Sequence, residues 1–121
     1  MILARCLFLV VIGSVIPGVG EEKVDFDRQI RPILSENCFH CHGPDAKTRQ
    51  ADLRLDSREG FSADRGGYQL VVPGNPEKSE LLTRLTASED EGKMPPKKTG
   101  LKVAPAQIAL IKQWIEEGGE W

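Results

Sequence analysis

The sequence predicts one mostly α domain of about three core helices with a short β hairpin insertion. Three observations carry this. Apolar residues recur at helical spacing in three separate stretches, and a polar stretch between the first two contains segments that alternate at period two. The whole chain has 121 residues, 40% of them hydrophobic and 28% charged, enough for one core and no second one.

The first helix is expected from Asp25, a suitable N-cap, because Phe26, Ile30, Ile33 and Leu34 fall on one face. Pro32 lies inside it. Proline has no N–H to donate and crowds the carbonyl four residues earlier, so the helix kinks there or starts late. Residues 43–75 are rich in Gly, Asp, Arg and Ser. Within them, Ala51 to Asp56 and Tyr68 to Val72 alternate, which predicts a hairpin with Gly66 and Gly67 in its connection. The second helix opens on Asn75 as cap and Pro76 at its first position, and Leu81, Leu82 and Leu85 form its apolar face.

Lys93 to Lys98 cannot be helical, since Pro95 and Pro96 are consecutive; it reads as a stiff extended segment. The third helix starts near Pro105, presents Ile108, Ile111 and Ile115 with Leu110 and Trp114 beside them, and ends at Gly118 and Gly119. Trp114 is expected to pack between the last and first helices. Phe26 and Ile30 belong to the core.

Residues 1–20 read differently. Arg5 is their one charged residue, Cys6 to Ile16 is nearly unbroken apolar sequence, and small residues precede Glu21, as in a secretory signal peptide. The apolar run falls short of the roughly 20 residues a membrane span needs. The expected division is a signal peptide at 1–20 and a domain at 21–121, exported to the periplasm or cell envelope, with a membrane tether only if the leader is retained. Without residues 1–20, 15 basic side chains face 18 acidic ones. Nucleic-acid binders carry a basic excess, so no nucleic-acid partner is expected.

Cys38-Phe39-His40-Cys41-His42 is the C-x-x-C-H pattern of covalent haem attachment. Thiols three residues apart can reach the two vinyl groups on one edge of a porphyrin, and the adjacent His42 brings its imidazole under the iron. The other ring nitrogen is then expected to donate to a backbone carbonyl, which fixes the ring plane. Three other chemistries use such a cysteine pair, and each fits less of the sequence. A Cys38–Cys41 disulfide closes a very small loop and leaves His42 idle. A zinc site needs four ligands, and no second Cys or His cluster exists outside the leader. A thioredoxin-like pair lacks its βαβ setting.

A sixth iron ligand follows by elimination. His40 is held inside the attachment loop, and Met94 is the only methionine outside the leader. The alternative for Met94 is a flexible filler of the core. Lys93, Lys97, Lys98 and Lys102 surround it and can steer an acidic redox partner if the cofactor edge opens there, although Glu89, Asp90 and Glu91 partly neutralise them. Arg49 and Arg54 are candidates to pair with haem propionates.

Asp25 to Leu34, Cys38 to Pro44, Leu53-Arg54-Leu55-Asp56, Val72 to Ser79, Met94-Pro95-Pro96 and Ile108 to Trp121, in that order, resemble the planctomycete-type cytochrome c domain. The resemblance implies a variant of the class I cytochrome c fold, with one haem c bound by Cys38, Cys41, His42 and Met94. It also implies a domain commonly found at the N-terminus of much longer proteins. Ala104 departs from the Thr or Ser expected before Pro105.

With both axial positions filled, the expected role is a single-electron carrier and not an enzyme, serving redox partner proteins. Two readings from other classes use the same residues. One is a haem-based sensor or gas-binding module with a displaceable Met94, and the other is a non-haem interaction module derived from a larger protein.

Overall fold

The computed structural model describes residues 12–15, 18 and 20–121. Most of the expected signal peptide, Cys6 included, lies outside the described residues. Among those described, no helix is long and apolar enough to cross a membrane.

Four α-helices form the frame: α1 (Arg31–Asn37), α2 (Arg58–Ser62), α3 (Glu80–Thr86) and α4 (Pro105–Glu116). The first expected helix does begin at Asp25, whose side chain accepts from the Arg28 N–H, but its opening turn is wide. Phe26–Ile30 forms a π-helical turn in which the Arg31 N–H reaches back to the Phe26 carbonyl. Pro32 then falls in the first turn of α1, where its missing N–H costs no helix bond. The regular helix thus starts late.

The expected second helix is also divided. Asn75 caps a short 3₁₀ turn, Pro76–Lys78, and α3 begins only after Ser79. Ser79 is fully buried, and its hydroxyl accepts from the Val72 N–H at 2.9 Å and donates to the Asn75 carbonyl at 2.9 Å. A buried hydroxyl satisfied in this way fixes the corner between the two pieces.

No hairpin forms among the described residues; a single isolated bridge, Gln69 to Ser79, is the only β pairing. Two causes are visible. Ala51 and Asp52 have φ of 54° and 50°, in the left-handed region that no strand uses. The backbone groups that would pair are also committed elsewhere: Gln50 and Leu55 bond to the cysteine motif, while the Gln69 and Leu70 carbonyls accept from Glu80 and Leu81. The period-two pattern was nonetheless meaningful, because Leu55 is buried, Leu53 half-buried, and Arg54 between them exposed.

α4 closes the domain against the N-terminal turn. Trp114 is 1% exposed, its ring 5.3 Å from that of Phe26 and edge-on to Phe61 at 5.9 Å. Trp121 stacks on Phe26 at 4.0 Å, and the Arg31 guanidinium lies 5.2 Å from the Phe26 ring. Each aromatic contact contributes about 0.5–1.5 kcal/mol beyond area burial. Trp114 therefore joins the first and last helical segments as expected. α2 was not foreseen, being a single turn capped by Ser57 to bring Phe61 into this cluster.

At the start of α4 the Gln107 side chain accepts from the Ala104 N–H at 2.9 Å, but Ala104 offers no side-chain acceptor in return. Replacing Ala104 with Ser supplies that half of the capping box and is expected to stabilise the domain by about 1 kcal/mol. The gain is read as a higher urea midpoint at unchanged slope. An unmoved midpoint would mean that the cap adds nothing here.

Candidate functional site

The cysteine motif continues the end of α1. The Cys38 N–H donates to the Leu34 carbonyl at 2.8 Å, and the Cys41 and His42 N–H groups both turn back to the Cys38 carbonyl, at 3.2 and 2.8 Å. The chain then leaves through Gly43, where a Cβ would run into the Phe39 carbonyl. Only glycine permits that exit.

A second segment is tied to this turn. The Gln50 N–H donates to the Cys41 carbonyl at 2.7 Å and the Leu55 N–H to the His42 carbonyl at 2.8 Å. His42 Nδ1 lies 3.2 Å from the Gln50 carbonyl oxygen. A carbonyl only accepts, so this hydrogen bond requires the proton on Nδ1 and leaves the Nε2 lone pair free. The carbonyl expected beside the ring is thus that of Gln50. Burial holds the His42 imidazole below its ordinary pKa, Arg65 pushes the same way, and the Gln50 carbonyl opposes them. The ring is neutral near pH 7, the form that can ligate a metal.

Cys38, Cys41, His42 and Met94 all border one cleft of about 1090 Å³, its open mouth included. Leu53, Leu55, Leu70, Leu81 and Leu85 give it mainly apolar walls. From residue 20 onward the most exposed large hydrophobic side chains are Tyr68 at 42% and Leu101 at 40%, and both stand on this cleft. A flat apolar group seated there would cover them. Two thiols for the vinyl groups, with a neutral imidazole and a thioether for the iron, are also what a c-type haem takes, so the residues present fit that cofactor. His40 is exposed and borders the same cleft. Among the described residues no group of three or more His, Cys, Asp or Glu is arranged to hold a metal ion. The two thiols are free of each other.

Burial, and to a lesser degree the neighbouring Cys41, pushes the Cys38 thiol up to about 12. It stays protonated at any physiological pH.

Neither arginine proposed for propionate pairing borders the cleft. Arg49 donates to the Gly43 and Pro44 carbonyls, and Arg54 forms a two-pronged pair with Asp56 at 3.0 and 2.7 Å. Arg65 and Arg84 occupy the walls instead. No local pattern marked them, since their placement depends on how loop 63–67 and α3 pack. Lys97, Lys98 and Lys102 are exposed beside the Met94 loop, and with Lys93 they form no ion pair among the described residues.

A family model described as Planctomycete cytochrome C matches residues 38–98, just over half of the chain, from the first motif cysteine to four residues past Met94. The chain belongs to that family. No curated protein and no solved structure matches it. As a planctomycete cytochrome c domain it is a haem-binding module, and the matched segment contains all four side chains that meet at the cleft; α4, outside the match, contributes packing.

The protonation state of Cys38 has a measurable consequence. In the haem-free domain its alkylation rate is expected to climb about tenfold per pH unit from pH 8 to 10, because thiolate is still scarce throughout that range. Peptide mapping after iodoacetamide measures this, and a plateau near pH 9 would show that Cys38 is not buried as described.

Proposed function

We propose that this domain carries one covalently attached haem c and transfers single electrons outside the cytoplasm. Cys38 and Cys41 would hold the cofactor, and His42 through Nε2 and Met94 through its sulfur would ligate its iron. The observation that carries the proposal is the meeting of these four side chains at one apolar cleft, although Met94 lies 52 residues beyond His42 in sequence.

When bound, the haem iron supplies a one-electron Fe(III)/Fe(II) couple. The protein's own residues do the rest. Gln50 holds the proton on His42 Nδ1, so the imidazole keeps one tautomer and one ring plane. The leucines of the cleft exclude water, which limits the reorganisation that a change of charge demands. Met94 as a soft neutral donor would favour the reduced state and would leave no position for a gas or peroxide, which suits a carrier and not an enzyme. Redox partner proteins are expected on the cleft side, where the exposed lysines beside Met94 favour an acidic one. Export rests on the leader-like residues 1–20, and contact with a membrane on their retention.

Co-expression with a haem-maturation system, followed by haem staining of a denaturing gel, is expected to reveal one covalent haem that Cys38→Ala with Cys41→Ala abolishes. A protein that stays unstained sinks the proposal and favours a non-haem interaction module. In the loaded protein, Met94→Ala is expected to lower the midpoint potential by at least about 59 mV, a tenfold change for one electron. It should also let the ferrous form take up carbon monoxide. Avid uptake by the unaltered protein would support the gas-binding reading instead.

A further inference from the structure

The loop that brings Met94 to the cleft is fastened mainly through one residue. α3 ends at Thr86, and the carbonyls of its last turn have no backbone partners within the helix. The Met94 N–H takes one of them, donating to the Arg84 carbonyl at 2.9 Å. The Arg84 side chain holds the same loop two residues earlier: Nη1 donates to the Gly92 carbonyl at 3.2 Å, while Nε donates to Glu80 Oε1 at 2.7 Å. Other backbone bonds just before Met94 stay inside the loop, with the Glu91 and Lys93 N–H groups both going to the Ser88 carbonyl.

Gly92 makes the arrangement possible. Its φ of 81° is in the left-handed region, and a Cβ there would run into Arg84 Nη1. Glu80 and Arg84 lie at i and i+4 on α3, with side chains 24% and 42% exposed. A pair that exposed adds little to stability by itself. Its geometric effect is larger, because fixing Nε on Glu80 aims Nη1 at the Gly92 carbonyl.

We propose that Arg84, oriented by Glu80, is the positioning residue for Met94, holding the loop so that the Met94 sulfur remains at the iron. The proposal rests on the His/Met reading of the site. Loss of the guanidinium frees the Gly92 carbonyl and loosens the loop, while the aromatic cluster and the cysteine motif keep their own bonds.

The test uses the haem-loaded protein with Arg84→Gln, Arg84→Lys, Glu80→Gln and Gly92→Ala. Met94→Ala marks full loss of the ligand, and Lys112→Ala removes a comparably exposed i,i+4 pair on α4. Three quantities are read: amide hydrogen exchange at Met94, the ferric sulfur-to-iron charge-transfer band, and carbon monoxide uptake by the ferrous form. Arg84→Gln is expected to speed Met94 exchange about tenfold, the scale of one lost charge-assisted hydrogen bond. It should also weaken the band and admit carbon monoxide, with core amides of α4 unchanged. Gly92→Ala should reproduce this, Glu80→Gln should do so in part, and Arg84→Lys should recover part of the band. Wild-type exchange and gas uptake in Arg84→Gln overturn the proposal, as does an equal acceleration of every amide, which would make Arg84 merely structural. If Met94→Ala itself leaves band and gas uptake unchanged, the ligand assignment fails, and the positioning proposal fails with it.

Discussion

The three hydrogen bonds between the Cys38–His42 turn and residues 50–55 organise the cleft. Each uses a backbone group of the second segment, and together they consume the Gln50 N–H, the Gln50 carbonyl and the Leu55 N–H. One of them selects the tautomer of His42. The same three contacts set Leu53 and Leu55 against the cleft and turn Arg54 outward to Asp56. Residues 50–55 therefore serve as a strap tied to the cysteine motif, and strand pairing is the alternative they give up. Ala51 and Asp52 in the left-handed region are the local consequence, at a cost of about 1–3 kcal/mol each.

The helices resist this local strain from a distance. Phe26, Phe61, Trp114 and Trp121 form one aromatic cluster that joins the N-terminal turn, α2 and α4. The cluster contributes no residue to the cleft walls. Its effect is exerted through α1, whose buried Ile33 and Leu34 pack in the same core and whose last turn becomes the cysteine motif. A well-packed core moves little, so the turn that presents Cys38, Cys41 and His42 inherits that rigidity.

The parts of this architecture that were legible in the sequence are those determined by near neighbours. The motif is five contiguous residues, and helical spacing marked Phe26, Ile30, Ile111 and Ile115, all buried. Pro32 announced an irregular start to the first helix, and the structure resolves it as a wide turn followed by α1. What local pattern could not supply was where polar groups find partners across long stretches of chain. Leu53 and Leu55 alternate as they would in a strand, yet their neighbours bond to the motif. Arg49 and Arg54 are as basic as Arg65 and Arg84, and only packing decides which pair reaches the cleft.

The two axial candidates are consequently held by unequal means. His42 directly follows Cys41, and its ring is further fixed by Gln50, so nearly all its constraint is local. Met94 comes from a separate loop, where Pro95 and Pro96 remove backbone freedom but do not set the distance to the cleft. That distance comes from the bond to the end of α3, whose Leu81 and Leu85 are buried in the core. A perturbation of α3 thus reaches the Met94 side while leaving the His42 side intact. A small shift at the contact between α3 and the methionine loop therefore moves Met94 without disturbing the Cys38–His42 turn.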